Sequence, residues 1–561
     1  MTSKRAPKHV STTPPAGGAP HFRDVDVKEL RAALERARAA LDPADFTLLT
    51  GAVDTFTALT RELQLKGVTL ERLRRLFMGS SSEKTSKVLG DEPDDKPADD
   101  KGTADKDTTP EKTSDNKERP KGHGRNGVTA YPGAKRKKVT HDSLHHGDKC
   151  PGCAKGKLYP VKEPALLLRV HGMAPLDATV WECDRLRCNG CGEMFTAPAP
   201  KGVGDEKYDA SADAMVGMLR YGVGLPFNRI EQLQRGMGIP LPASTQWDLV
   251  ERRADGLAPA HDALVRNAAQ GEVFHNDDTS MRVLELGGQT REDALAAGES
   301  EKAADRTGVR TTGIVSKVGQ HKVALYFTGR QIAGEGLDTV LQERMARLPA
   351  PIQMCDGLSH NLPTVLKTIL GNCLSHARRY CVDIVDSFPD ECREVLEPIR
   401  EVYRNDATAA TEKMTPQQRL LFHQEHSGPL MKKLKKWMHA QLDEHRVEPN
   451  SPLGEALRYM IKHWEPLTLF LRVAGAPLDN NVCERALKKA ILHRKNSLFY
   501  RTVYGAWVGD LYMALIHTAE LNGVHPFPYL VALMKHPEEV RDNPDAWLPW
   551  NYTEALGRCA G

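Results

Sequence analysis

The chain reads as an α/β multidomain protein, and three observations predict that class. Short apolar segments at strand period are crowded between residues 273 and 356. A long, almost wholly helical stretch then separates Asp356 from Glu484. Upstream of both lie two Cys-x-x-Cys pairs, Cys150–Cys153 and Cys188–Cys191, at metal-ligand spacing.

From the start of the chain, residues 1–23 are rich in Pro, Gly and Thr and are expected to be disordered. Residues 24–78 turn helical, with Leu30, Leu34 and Leu41 on one stripe and Leu59, Leu63, Leu70, Leu73 and Leu76 on a second. That pattern fits a helical hairpin packed on its own domain and, equally, a coiled coil joining protomers. Residues 79–120 form a charged linker with too little apolar surface to offset chain entropy.

The sign of the charge then changes. Residues 121–204 open with a basic arm carrying Arg125, Lys135, Arg136, Lys137 and Lys138, suited to phosphate contacts, although a solvated loop has the same composition. The arm leads into Cys150, Cys153, Cys188 and Cys191, four soft ligands expected to hold one structural Zn2+, with Cys183 a spare thiol. Residues 205–265 are helical. Ser244 reads as an N-cap and the break at Gly236 and Gly238 suggests a helix-turn-helix, with Thr245, Gln246 and Arg252 near a DNA groove. An ordinary helical unit packed on the catalytic core explains the same pattern.

From 266 to 502 a catalytic domain is expected. Strands are predicted at 273–276, 279–285, 312–317 and 322–328, a charged surface insert at 287–305, a helix near 336–347, and a strand delivering Asp356. Strand, strand, strand, helix, strand is the order of a ribonuclease-H-like core. The stretch at about 376–470 would then be a large helical insertion, and 503–561 a C-terminal helical segment.

Asp277 and Asp356 each close a short run with apolar residues, and Glu484 stands where a loop enters a helix. Three carboxylates so delivered can hold two divalent ions ~4 Å apart, the arrangement that activates an attacking oxygen and stabilises a leaving one. Mg2+ or Mn2+ suits such hard oxygen ligands. Most carboxylates are merely solvated, and the chain has 74 Asp and Glu, so the flanking residues decide. Asp278 adjoins Asp277, but neighbours on a strand face opposite sides, so only one can serve; Asp277 is the assignment preferred here. Asp479 reads as a cap for the helix carrying Glu484. His376, Arg378, Arg379, Lys488, Lys489, Arg494 and Lys495 make a phosphate-binding set around the acids, or else a solvated basic surface. Phe499-Tyr500 reads as a packed aromatic pair rather than a stacking platform.

The residues around the acids carry a family resemblance. His275 to Thr279 with Val283-Leu284, Asp356-Gly357, Cys373-Leu374-Ser375-His376-Ala377-Arg378-Arg379, Leu478 to Ala486, and Arg494 to Phe499 together resemble transposases of insertion-sequence family 66. So do Leu76-Phe77 with Ser82-Glu83-Lys84, Gly122 to Asn126, Leu225 to Arg229, and Leu548-Pro549-Trp550-Asn551. The resemblance implies a DDE transposase that cleaves element ends and joins 3′-OH ends to target DNA. Asp277 and Asp356 would be the bridging metal ligands and Glu484 the third. It also implies a homo-oligomer joined through the N-terminal segment, double-stranded DNA as partner, accessory proteins of the same element, and a nucleoid-associated place in the bacterial cytoplasm. A nuclease or resolvase on the same fold, and an inert DNA-binding accessory protein, are the competing readings.

Composition is compatible with this. The 561 residues carry a net charge of only +3, so DNA affinity would arise from local basic surfaces rather than from the global field. Mean hydropathy is −0.48, no stretch is apolar enough to span a bilayer, and the start lacks the apolar core of a secretion signal. Eleven cysteines are sparse for this length and favour a reducing compartment.

Overall fold

The computed structural model describes residues 206–559 continuously, together with 27–38 and parts of 42–53 and 143–201. The linker, the basic arm with Arg125 and Lys135–Lys138, and Cys150, Cys188 and Cys191 lie outside the described residues, so the expectations placed on them are untouched. Before the main body stand helix α1 (Val27–Ala37) and an antiparallel hairpin of β1 (Arg185–Arg187) and β2 (Met194–Thr196).

The core is a five-stranded mixed sheet of β3 (Val273–Met281), β4 (Val309–Val318), β5 (His321–Gly329), β6 (Ile352–Cys355) and β7 (Ile369–Asn372). Their order across the sheet is β5-β4-β3-β6-β7. The first three form an antiparallel meander, whereas β6 and β7 join β3 in parallel. Strands β4 and β5 are buried without a break at their centres, Thr311 to Ser316 and Val323 to Tyr326, as strands covered on both faces should be.

Helices cover both faces. Helix α2 (Ala210–Gly217), α3 (Phe227–Gly236) and the 27-residue α4 (Ala243–Ala269) come first in the chain, and α5 (Ala333–Leu341) links β5 to β6. On one face Ser316 donates its hydroxyl to Ala268 O of α4 at 2.7 Å, and Gly336 of α5 lies against Thr312. The other face is covered by α11 (Asn481–Ser497) and α12 (Val503–Leu521). There Tyr326 donates to Ala486 O at 2.9 Å, and the buried Asp510 of α12 accepts from Thr328 N at 2.6 Å and Thr328 Oγ1 at 2.8 Å.

Between β7 and α11 the chain makes α6 (Leu374–Ile384), α7 (Pro389–Thr411), α8 (Pro416–His426), α9 (Gly428–Asp443) and α10 (Pro452–Lys462). These helices share an apolar core of their own, including Leu396, Ile399, Leu434, Leu457 and Met460, which meets the sheet at Val273 and Ile352. After α12 come α13 (Pro526–Lys535), α14 (Pro537–Asp542) and α15 (Tyr552–Cys559).

Several expectations need correction. The strands predicted at 273–276 and 279–285 are one strand, because the polar run Asn276 to Ser280 pairs with β4 throughout. Strand β7 was not foreseen, and the charged insert contains two short helices, Arg291–Ala296 and Glu301–Ala304. Three of the residues singled out within 205–265 take places other than those expected. Helix α4 begins at Ala243 after Pro242, so Ser244 lies inside the first turn rather than capping it. Gln246 is buried and donates to Phe227 O at 3.0 Å and Leu241 O at 2.9 Å, while Arg252 pairs with the buried Asp213. This helical unit shares the main apolar core through Leu249, Val250, Leu257 and Leu264.

Candidate active site

Pairing of β3 with β6 runs Val273↔Ile352, Phe274↔Gln353, His275↔Met354. Continuing that register two residues brings Asp277 beside Asp356, just where β6 ends and the chain turns away. Asp277 is thus not at the end of its strand but two residues beyond its last parallel pair, its other neighbour being Gly313 of β4.

Gly313 explains how the third acid arrives. A Cβ there would meet Leu487 Cδ2 at 2.8 Å, so a bare glycine lets α11 lie close to the sheet opposite Asp277. Cys483 Sγ donates to Gly313 O at 3.2 Å on the same contact. Glu484, in the first turn of α11, therefore comes down on the face toward which Asp277 points. Asn480 fixes the entry: its Oδ1 lies 3.2 Å from His275 Nδ1, its Nδ2 donates to Asn276 O at 3.1 Å, and its N–H meets Cys373 Sγ at 3.2 Å. Burial pushes His275 down to about 4, so the ring is neutral. Asp479 shapes the turn by accepting from Asn481 N at 3.1 Å and Asn481 Nδ2 at 2.8 Å.

Asp278 takes the opposite face. Its side chain is 5% exposed and paired with Arg310 at 2.7 Å, with His360 Nε2 at 3.7 Å. Asp277 has no such cation among the described residues. Its carboxyl is pushed up to about 7, first by burial and then by the negative charges of Asp356, Asp278 and Glu484, against one backbone N–H from Asp278 that works in the other direction.

Asp356 is oriented by a buried amide network. Asn361 donates to its Oδ1, Leu358 N donates to the same oxygen at 3.1 Å, and Asn372 Nδ2 holds its carbonyl at 3.0 Å. Beneath, Gln353 Nε2 donates to Asn276 Oδ1 at 2.9 Å and Asn361 O at 2.7 Å, and Thr368 donates to Gln353 Oε1 at 2.7 Å. Residues 276, 353, 361 and 372 were not singled out from sequence, whereas Asn480 was expected to shape the turn. The available signal was an uncharged amide inside an apolar strand, which on burial must find partners.

Helix α6 adds His376, whose Nδ1 is 3.7 Å from Glu484 Oε1. Cys373 Sγ, His376 Nδ1 and a Glu484 oxygen all lie within 4.8 Å of one another. Both Glu484 Oε1 and His376 Nδ1 are buried without a hydrogen bond. The other predicted phosphate ligands divide. Lys488 and Lys495 are exposed on α11, and Arg378 and Arg379 are half-buried on α6. Lys489 instead pairs with Glu520 of α12 at 2.9 Å, and Arg494 donates to Thr279 Oγ1 at 3.1 Å and to Ser280, tying α11 to the end of β3. Both contacts tie α11 to a neighbouring element. Tyr500 is buried and stacks on His493, as a packing residue would, while Phe499 beside it is 37% exposed.

The donor set fits a hard divalent cation. Asp277 and Asp356 each use Oδ1 in the bonds given above and keep Oδ2, Glu484 keeps a buried oxygen without a donor, and the like charges raise Asp277.

An α/β core with three acids gathered on one sheet face is a build suited to nucleic-acid chemistry. Residues 207–507, more than half of the chain, match the Transposase IS66 family, and the chain belongs to that family. It is also similar to the uncharacterized protein y4jD of Sinorhizobium fredii, 26% identical over 394 residues that cover 67% of this chain and 73% of the relative. The uncharacterized protein y4hP of the same organism is 24% identical over 402 residues, covering 66% of this chain and 67% of the relative. No helix among the described residues is long and apolar enough to cross a membrane.

Proposed function

We propose that the chain is a DDE transposase with a ribonuclease-H-like core, using Asp277, Asp356 and Glu484 to hold Mg2+ or Mn2+ while it cleaves element ends and joins their 3′-OH groups to target DNA. The observation that carries this is the register that sets Asp277 beside Asp356 while Gly313 admits the helix bearing Glu484 to the same face. The strand order β5-β4-β3-β6-β7, an antiparallel meander extended by two parallel strands, supports the fold assignment.

When bound, the divalent ions would activate the attacking oxygen and stabilise the leaving one. The chain's own residues do the rest. Asn361 and Leu358 N fix the Asp356 carboxylate, Asn480 fixes the start of α11, and His376 stands against Glu484. The exposed Lys488 and Lys495, with Arg378 and Arg379, supply phosphate contacts. In the same reading Cys150, Cys153, Cys188 and Cys191 hold one Zn2+, the basic arm carrying Arg125 and Lys135–Lys138 binds DNA, and the chain works as a homo-oligomer on two DNA ends, with accessory proteins of its element as further partners.

Purified full-length chain, given Mg2+ and duplex DNA carrying an element end, should nick that end and join it to a second duplex. Nicking without joining would favour a nuclease or resolvase on this fold. Joining that persists in Asp356→Ala would remove the assigned site.

A further inference from the structure

We propose that Tyr380, Tyr459 and His463 form a stacking subsite for one unpaired nucleobase of the DNA strand held at Asp356. The inference rests on the strand-transfer reading and names a part of the substrate it would grip. Tyr380 of α6 and Tyr459 of α10 have ring centroids 4.7 Å apart at an interplanar angle of 48°, and Tyr459 and His463 follow at 4.6 Å and 38°, so the three rings form a continuous tilted ladder. Its two ends differ. The inner end abuts the acid: a Cβ on Gly357, the residue after Asp356, would lie 2.7 Å from Tyr459 Oη and 3.2 Å from His463 Cε1. The outer end is open, with Tyr380 48% exposed.

A second, independent spacing fixes the direction. Tyr380 lies four residues after His376 on α6, so both occupy one face of that helix, about one turn or ~5 Å apart. His376 is the residue that faces Glu484. The ladder is thereby placed alongside the acids by α6 and by α10 separately. The stacks of Tyr221 on Tyr512 and of His493 on Tyr500, by contrast, are buried and serve packing. Tyr380 leaves a large part of its ring free beside a cleft of about 380 Å3.

The cleft selects for a base rather than a phosphate. Asp383, Glu455 and Pro452 line it together with Tyr380 and Tyr459. Carboxylates repel a phosphate and accept hydrogen bonds from exocyclic amino groups, and an aromatic ring stacks on any base without regard to sequence. A base must leave the duplex to reach such a ring, which costs least at a nick, an overhang or a distorted end.

The test uses the full chain in Ca2+ and two probes. One is a blunt duplex; the other is the same duplex with a short single-stranded extension containing 2-aminopurine. Wild type should prefer the extended duplex and quench the 2-aminopurine. Tyr380→Ala should reduce that preference about tenfold and lose the quenching. Tyr380→Phe, which keeps the ring, should restore both, an outcome a hydroxyl contact would not give. Retention of preference and quenching by Tyr380→Ala overturns the subsite, as does a wild type that binds both probes equally without quenching. A wild type that binds neither probe overturns the subsite together with the strand-transfer reading.

Discussion

Two buried acids in this molecule are treated in opposite ways. Asp213 of α2 is wholly buried and met by two guanidinium groups, Arg252 at 2.8 Å and Arg253 at 2.6 Å. Asp277 of β3 is also largely withdrawn from water, yet the charges around it are Asp356, Asp278 and Glu484. The first region spends its arginines on holding α2 to α4. The second sets like charges around Asp277, a deficit of positive charge that a bound cation would make good. Such a contrast is what a metal-holding site would produce, and it is the physical basis of the proposed function.

The largest effect should come from breaking the neutral region. Replacing both Arg252 and Arg253 by Ala strands the Asp213 carboxylate and should destabilise the fold by about 3–5 kcal/mol, read from urea unfolding. A loss below ~1 kcal/mol would mean that water reaches Asp213 and that the contrast drawn here is empty.

The same operation at the other region should have the reverse sign. Asp277 has a folded value near 7 against an unfolded one near 4, so its contribution to stability is full below about pH 4 and is lost as pH rises through about 7. Without divalent ions, Asp277→Asn should therefore be more stable than wild type at neutral pH, by up to roughly 4 kcal/mol, and equal to it near pH 4. Chelator-treated protein unfolded across that pH range would show it; a variant less stable at pH 7 would contradict the picture of an unpaired acid.

Gly313→Val sharpens the comparison from the helix side. The added methyls meet Leu487 and should push α11 outward, costing about 1–3 kcal/mol and impairing cleavage through Glu484. Wild-type cleavage by this variant would show that the close approach of α11 is dispensable.

The smallest change expected is at the exposed Lys488. Lys488→Ala should leave unfolding within about 0.5 kcal/mol of wild type while lowering the salt dependence of DNA binding by about one phosphate contact. An unchanged salt slope would return Lys488 to the solvated surface.

How much of this was legible in the sequence follows from what each signal reports. Apolar periodicity marks burial, so β4, β5 and the succession of helices after β7 could be read directly. Strand β3 was read in two pieces because its middle is polar, and β7 was missed because four residues hold too little pattern. Asp277 could be chosen over Asp278 only by preference. The structure supplies a physical distinction, since Arg310 lies one strand away and 32 positions along the chain. Pairings such as Lys489 with Glu520 or Arg252 with Asp213 join distant segments, so the ties these basic residues make within the protein were not legible. The amide network around Asn480 and Gln353 was invisible for the same reason: a neutral polar residue announces no partner until the fold brings one.

The central claim is that Asp277, rather than its neighbour Asp278, joins Asp356 and Glu484 in holding a divalent ion. Mn2+ binding to the full chain, followed by electron paramagnetic resonance, tests it with least interpretation. Wild type and Asp278→Asn should both bind Mn2+, whereas Asp277→Asn and Glu484→Gln should lose most of it. Undiminished binding in Asp277→Asn, with loss in Asp278→Asn, would contradict the account.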